Sequence, residues 1–192
     1  MPLILNAGPA AEPVALDEAK LHCRVDGDAE DTLIASLILA ARMHLERCLD
    51  LAMISQSWSL FLDRWPHASH VELPLGPLIS LDGVRLHSPT GSFVTFDPEL
   101  FIADRSAWRP RIARQEGARW PAPGRSINGI EIMFTAGHGA AADDVPMPLR
   151  IAIRQLVAHW YEAREPVAFA ENAFEVPTGV ASLIAPYRSV RL

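Results

Sequence analysis

The run from Asp28 to Leu49, DAEDTLIASLILAARMHLERCL, decides the architecture. Leu33, Ile34, Leu37, Ile38, Ala41, Leu45, Cys48 and Leu49 recur at three- and four-residue intervals, the spacing of one face of an α-helix. Asp28 stands where an N-cap belongs, and Glu30 and Asp31 put negative charge in the first turn, where the helix dipole favours it. Such a helix spans roughly 30 Å. Leu39 and Met43 lie four apart on the side away from the stripe. Two readings are open for them: isolated exposed apolar residues, which single proteins tolerate, or a second contact face for a neighbouring molecule.

A second long helix is expected from Met147 to about Glu165, where Pro166 stops it. Leu149, Ala152, Ile153, Leu156, Val157 and Trp160 form its stripe, which should pack on the first long helix. Asp143 or Asp144 is placed to cap it, and Pro146 and Pro148 suit its first turn. Arg150 and Arg154 lie four apart on its other side; like charges at that spacing repel slightly, and an acidic partner would relieve them. A short helix, Val14 to Val25, precedes the first long one, with Leu16, Ala19, Leu21 and Cys23 as its apolar positions. Asp26-Gly27-Asp28 between them reads as turn and capping chemistry, without the ligand spacing or distal glutamate of a calcium loop.

After Leu49 the period changes to two. Trp58, Leu60 and Leu62 alternate with Ser57, Ser59 and Phe61; Val71 to Leu73 is a short strand; Ile79, Leu81, Val84 and Leu86 form another, with Gly83 as a bulge or turn. Ser88-Pro89-Thr90-Gly91 turns the chain into a return strand at Phe93, Val94 and Phe96. Asp97 to Arg109 is irregular, Ile112 marks a weak strand, and Ile130, Ile132 and Phe134 centre the last one. The fold class is therefore α+β: a helical bundle core with long helices near 28–49 and 147–165, an inserted antiparallel β-sheet unit, and an extended C-terminal tail. The expected layout is a single domain over 1–192, with helical core at 14–53 and 138–165, β unit at 54–137 and tail at 166–192. In the tail, Thr178 to Ile184 reads as a short helix capped by Thr178. A tail this rich in apolar residues packs either on its own domain or on a neighbour.

The chain has 192 residues, 49% of them hydrophobic, and a net charge of −6. That charge argues against a dedicated nucleic-acid binder, whose phosphate contacts need a basic surface. Locally, Arg109, Arg111, Arg114, Arg119 and Arg125 make a basic stretch with Trp108 and Trp120 interleaved, while the first fifty residues are acidic on balance. Acidic and basic ends on one subunit suit head-to-tail contacts, which close into rings. Cys23 and Cys48 read as buried free thiols rather than a disulfide framework or metal set, as in a reducing compartment. The first residues lack the basic start and apolar run of a signal peptide, and no run has the length needed to cross a bilayer. A protein made in the cytoplasm, away from membranes, is expected.

No phosphate loop, dinucleotide fingerprint or nucleophile-elbow serine is present. His67 and His70 share a loop without a third ligand nearby in sequence, and His44 and His159 border apolar stripes as core-edge histidines. Cys23 beside His22 is no catalytic pair, because adjacent helical residues point apart. The expectation is no catalytic residue, no cofactor and no metal. The alternative is a small enzyme or enzyme subunit with an unrecognised site in a sheet–helix cleft.

Several stretches taken together carry a resemblance. Leu16-Asp17-Glu18-Ala19-Lys20 leads through Leu21-His22-Cys23-Arg24-Val25-Asp26 into Asp31-Thr32-Leu33-Ile34, Ala40-Ala41-Arg42 and Glu46. Gln56-Ser57-Trp58 and Leu73-Pro74-Leu75-Gly76-Pro77 follow. Val145-Pro146 then leads into Leu149-Arg150-Ile151-Ala152-Ile153, His159-Trp160-Tyr161-Glu162-Ala163-Arg164-Glu165 and finally Leu183-Ile184-Ala185-Pro186-Tyr187-Arg188. In order and spacing this resembles the head–tail connector (adaptor) proteins of long-tailed phages and of prophage-derived gene transfer agents, over nearly the whole chain. The resemblance implies a non-enzymatic ring subunit, usually one of twelve, seated between the portal and the tail stopper or next connector, with DNA passing through without sequence-specific binding. It implies a product of the bacterial cytoplasm incorporated at the head–tail junction of a virion or phage-like particle. The inserted sheet exceeds the helical minimum of that family; it would face outward or widen contacts around the ring.

On that reading the tail reaches toward the portal, with Phe174, Leu183, Ile184, Tyr187, Arg188 and Arg191 as candidate portal-binding residues. Leu39, Met43, Arg150 and Arg154 are the candidates for contact between subunits. A net negative subunit also suits a channel: an acidic lumen repels the phosphate backbone and lets DNA slide, where a basic one would hold it.

Overall fold

The computed structural model describes residues 1–107, 109–115, 119–163 and 177–188. The chain is α+β and folds as two compact units, one formed by residues 1–10 and 55–138, the other by 11–54 and 139–192.

The first unit is built of strands: β1 (Leu3–Ala7), β2 (Gln56–Leu62), β3 (His70–Glu72), β4 (Leu78–His87), β5 (Phe93–Phe96), β6 (Phe101–Asp104), β7 (Arg111–Arg114) and β8 (Ile130–Ala136). They make a five-stranded sheet of order β1-β2-β8-β4-β5 and a three-stranded sheet of order β3-β7-β6, with every neighbouring pair antiparallel. Alternation sets the faces. Leu60 and Leu62 on β2, Val84 and Leu86 on β4, and Ile130, Ile132 and Phe134 on β8 are all buried. Gly83 lies at a register shift between β4 and β8, and Met133 Cε stands 2.9 Å from where a β-carbon of residue 83 would be. A side chain there would meet the Met133 thioether, so the bulge and the glycine belong together.

Two strands depart from the periodic reading. β6 forms inside Asp97–Arg109, because a single turn at Pro98–Leu100, capped by the Asp97 side chain, re-extends the chain alongside β7. β1 carries no periodic signal of its own: it pairs with β2 at Leu3–Leu60, Ile4–Ser59 and Leu5–Trp58. Its partner lies some fifty residues on in sequence, beyond the reach of any local pattern.

The second unit holds α1 (Leu16–Cys23), α2 (Asp31–Leu49), α3 (Met147–Glu162) and α4 (Thr178–Ile184). Ile34, Ile38, Ala41, Leu45 and Leu49 of α2 share one core with Leu149, Ala152, Ile153, Leu156 and Val157 of α3, Ala19 of α1, and Val180 and Ile184 of α4. Each fully buried leucine or isoleucine contributes about 1.5–3 kcal/mol. The core also holds a charge in its stripe. Arg42, 6% exposed, donates from Nε to Glu12 Oε2 at 2.8 Å and from Nη1 to Glu46 Oε2 at 2.7 Å. Burial alone would lower its pKa, but the hydrogen bond to Glu12 and the charge of Glu46 outweigh that and raise it.

Several terminal expectations are corrected here. Asp28 does not cap α2. Its carbonyl accepts from Asp31 N in a turn, the helix begins at Asp31 after Glu30, and Asp31 is drawn to Lys20 Nζ at 2.6 Å. Neither Asp143 nor Asp144 caps α3, which follows Pro146: Asp143 binds Arg150, and Asp144 Oδ2 accepts from Ala141 N. Pro177, not Thr178, occupies the cap position of α4. Leu33 and Cys48 flank the α2 stripe and are exposed, as is Leu21 of α1. Cys48 Sγ lies 3.7 Å from His44 Nε2, Cys23 is half-buried, and neither cysteine is in a disulfide. Arg164 to Val176, with the expected end of α3 near Glu165, lies outside the described residues.

Candidate assembly surfaces

The exposed side of α2 follows from its helical period. Turning away from Ile34, Ile38, Ala41 and Leu45, the helix presents Thr32, Ala35, Ser36, Leu39, Ala40 and Met43, all exposed and none charged. Leu39 is 43% and Met43 57% exposed. An uncharged, largely apolar strip over three turns is unlike a solvated helix face, which carries ionised residues opposite the stripe.

The two arginines of α3 part company. Arg150 is 8% exposed and occupied within its own unit: Nη2 donates to Glu18 Oε1 at 2.9 Å and Nη1 to Asp143 Oδ1 at 2.6 Å. The acidic partners expected for it belong to this chain. Among the described residues Arg154 meets only the Met147 thioether, its Nη2 lying 3.9 Å from Sδ.

In the tail, Ile184 is buried in the helical core, and Leu183 and Tyr187 pack against that core. Arg188 is exposed. Phe174 and Arg191 lie outside the described residues. The described apolar part of the tail therefore packs on its own unit, one of the two outcomes the sequence left open.

Charge is distributed unevenly. Acidic and basic residues balance in the sheet unit, so the net charge of −6 belongs to the helical unit. Within the sheet unit, arginines gather on β7 and the loops beside it. Arg111 Nε binds Asp104 Oδ2 at 2.8 Å, and Arg125 donates to Asn128 O, while Arg105, Arg114 and Arg119 are exposed. The aromatic rings nearby are engaged with one another: Trp65 stacks on Trp120 with centroids 4.2 Å apart, Phe101 lies 6.1 Å from Trp120, and Trp65 Nε1 donates to Pro121 O. A ring face taken up by another ring in this way is not available to stack on a nucleic-acid base. Trp108 lies outside the described residues.

One polar cluster has the residue types of an active site, and its geometry decides otherwise. On the five-stranded sheet Glu131 is 8% exposed; Ser59 donates from Oγ to its Oε1 at 2.8 Å, and His87 Nε2 lies 2.9 Å from its Oε2. Asn6 Nδ2 donates in turn to Ser59 Oγ at 2.9 Å. The carboxylate stands between the hydroxyl and the imidazole, so His87 faces an acid rather than the serine, and no base–nucleophile pair forms. The arrangement ties four strands of the sheet together. Among the described residues no three His, Cys, Asp or Glu side chains are grouped to hold a metal, and no helix is long and apolar enough to cross a membrane.

A family model described as phage gp6-like head-tail connector protein matches residues 13–79, which take in α1, α2, β2 and β3. Over its full length the chain is similar to solved structures. A chain from the neck of an empty GTA particle, computed with C6 symmetry, matches with a TM-score of 0.86 at 29% identity, over 100% of this chain and 97% of that one. A chain from the virion of a native gene transfer agent (GTA) particle matches at 0.84 and 29% identity, with the same coverage. A chain from the neck of a native GTA particle, computed with C12 symmetry, matches at 0.77 and 30% identity, over 98% of this chain and 97% of that one. No curated protein gives a match.

Proposed function

Because the chain belongs to the phage gp6-like head-tail connector family, we propose that it is a structural ring subunit in the neck of a phage-like particle. Copies of the chain, twelve to a ring, join the portal to the tail stopper, and DNA passes through the middle. The protein is made in the bacterial cytoplasm and built into the particle at the head–tail junction; its work is done by surfaces, and no bond is made or broken on it. The observation that carries this reading is the likeness, over 100% of the chain at a TM-score of 0.86, to a chain of a GTA particle neck.

The surfaces agree with it. The uncharged strip of α2 around Leu39 and Met43 is the contact offered to a neighbouring copy, with Arg154 as a half-buried cation on α3. Arg150 is spent inside its own unit and drops out of that set. Toward the portal, Arg188 is the exposed candidate among the described residues of the tail, because Ile184 is held in the core and Leu183 and Tyr187 pack on it; Phe174 and Arg191 complete the proposed contact. The two compact units act as one adaptor, and the negative net charge of −6 keeps the phosphate backbone from adhering to the channel wall.

The test is to mix the purified chain with assembled portal rings and follow mass by light scattering and shape by negative-stain imaging. A ring added to the portal is expected, and deletion of residues 189–192 together with Arg188→Asp, which spares the core residues Val180 and Ile184, should abolish it. A full-length chain that ignores the portal overturns the adaptor reading. Unchanged binding after the deletion removes the tail from it.

A further inference from the structure

The eight-residue α1 exposes a leucine that its own unit does not use. Leu21 is 82% exposed, while Ala19 is the residue α1 buries. Leu21 shares a surface hollow with Asp17, Lys20, Arg24, Val25 and Asp26. Lys20 is held by Asp31 at 2.6 Å, so its charge is answered locally. Asp17, Asp26 and Asp28 are exposed and make no ion pair among the described residues. Leu21 is thus an exposed apolar side chain beside the unpaired carboxylates Asp17 and Asp26, with Arg24 lining the same hollow and Asp28 exposed two residues beyond Asp26.

The complementary form lies on the three-stranded sheet. His70, Ala113 and Ile102 stand opposite one another across β3, β7 and β6. With Ser69, Asp104 and Arg111 they line a shallow cup of about 470 Å³. Ile102 is 49% exposed. Both carboxylates of that face, Glu72 and Asp104, stand opposite Arg111 in register, and Asp104 is bonded to it. Arg105, in the loop leaving β6, and Arg114, at the end of β7, are exposed and form no ion pair among the described residues.

We propose that Leu21 of one copy docks into the Ile102–Ala113 cup of the next copy, with Asp17, Asp26 and Asp28 facing Arg105 and its neighbours. The occupant is a second copy because every chain carries both halves, and they are different patches. Such a pair is heterologous, the kind of contact that closes into a ring by rotation. Opposite charge steers and registers the two faces, and burial of the leucine holds them. This contact rests on the ring reading above and adds to it a second point of touch, away from the α2 strip.

In a chain whose own Cys23 and Cys48 are replaced by serine, the experiment substitutes both Leu21→Cys and Ile102→Cys. Both positions are exposed, so the fold should survive. Rings assembled on portal are oxidised and separated under denaturing, non-reducing conditions. A ladder of covalent oligomers is expected from the double variant and from neither single variant. As a second measurement, Asp26→Arg and Arg105→Asp should each lower ring yield about tenfold, and the two together should restore it, a rescue that a merely structural role would not give. Rings without the ladder, or a cross-link to portal instead, overturn the contact and leave the ring standing. An unaltered chain that forms no ring on portal overturns both.

Discussion

Arg150 Nη2 donates to Glu18 Oε1 at 2.9 Å, joining the third helix to the first across 132 positions of sequence. The guanidinium also reaches Asp143, and its residue is 8% exposed. Removing it leaves Glu18, whose side chain is 36% exposed, beside a hole where a cation stood, while Asp143, at 90%, is free to turn to water. With one partner so exposed, the loss falls short of that of a fully buried pair. Arg150→Ala is expected to destabilise the chain by about 1–3 kcal/mol, measured as a shift in urea midpoint at constant slope. An interface arginine would behave in the opposite way, sparing stability and weakening assembly.

Gly124 stands where the chain passes closely over the base of the β4–β5 hairpin. A β-carbon there would lie 2.7 Å from His87 O and 3.0 Å from Ser88 Cα, and both are backbone atoms that cannot step aside. Gly124→Ala should cost roughly 1–3 kcal/mol of stability. Gly8→Ala is the control, because its added carbon would make only ordinary contact with Leu5 at 4.0 Å. Thermal melting of the two variants beside the parent chain measures the difference; equal melting points would show that the hairpin base yields.

Periodicity makes α2 and α3 legible because Ile34, Ile38 and Leu45 meet Leu149, Ile153 and Leu156 in one core, and a packed stripe is what a period of 3.6 records. It also finds β2, β4 and β8, whose alternate residues are buried. It fails where a pairing is remote or a partner is polar. β1 exists because β2 lies beside it, and Arg42 sits inside an apolar stripe because Glu12 and Glu46 neutralise it there. Leu21 and Cys48 fall at helical positions that look apolar on paper, but no neighbour covers them. Of the proposed assembly surface, Leu39 and Met43 were visible as residues facing away from the stripe. Arg150 was not separable from Arg154, since only the tertiary fold brings Glu18 to one of them.

His138 contributes a pH dependence of its own. Its Nε2 is buried with no hydrogen-bond partner among the described residues, and burial lowers its pKa from the usual 6.5. A base with a depressed pKa in the folded chain takes up its proton more readily once unfolded. Stability therefore holds above about pH 6.5 and falls as pH drops through that value toward the lower folded pKa. Urea midpoints between about pH 5 and 8 should decline on the acid side, and His138→Gln should flatten that decline. A slope unchanged by the substitution would assign the acid sensitivity to other groups.

The α2 strip separates folding from assembly most cleanly. Leu39 and Met43 are 43% and 57% exposed in the single chain, so Leu39→Asp with Met43→Asp should leave the unfolding free energy within about 0.5 kcal/mol of the parent. Leu45, fully buried on the other side of the same helix, is the contrast: Leu45→Ala should cost about 3–5 kcal/mol by opening a cavity among Ile34, Ile38 and α3. In a ring the ranking reverses. Two carboxylates placed in an apolar contact must be desolvated without partners, and rings on portal should fail to form from the double aspartate variant although each chain is folded. Urea titration and negative-stain imaging of the same preparations read the two effects separately. Full rings from the aspartate variant would show that the strip faces solvent in the assembled neck and that neighbouring copies meet elsewhere.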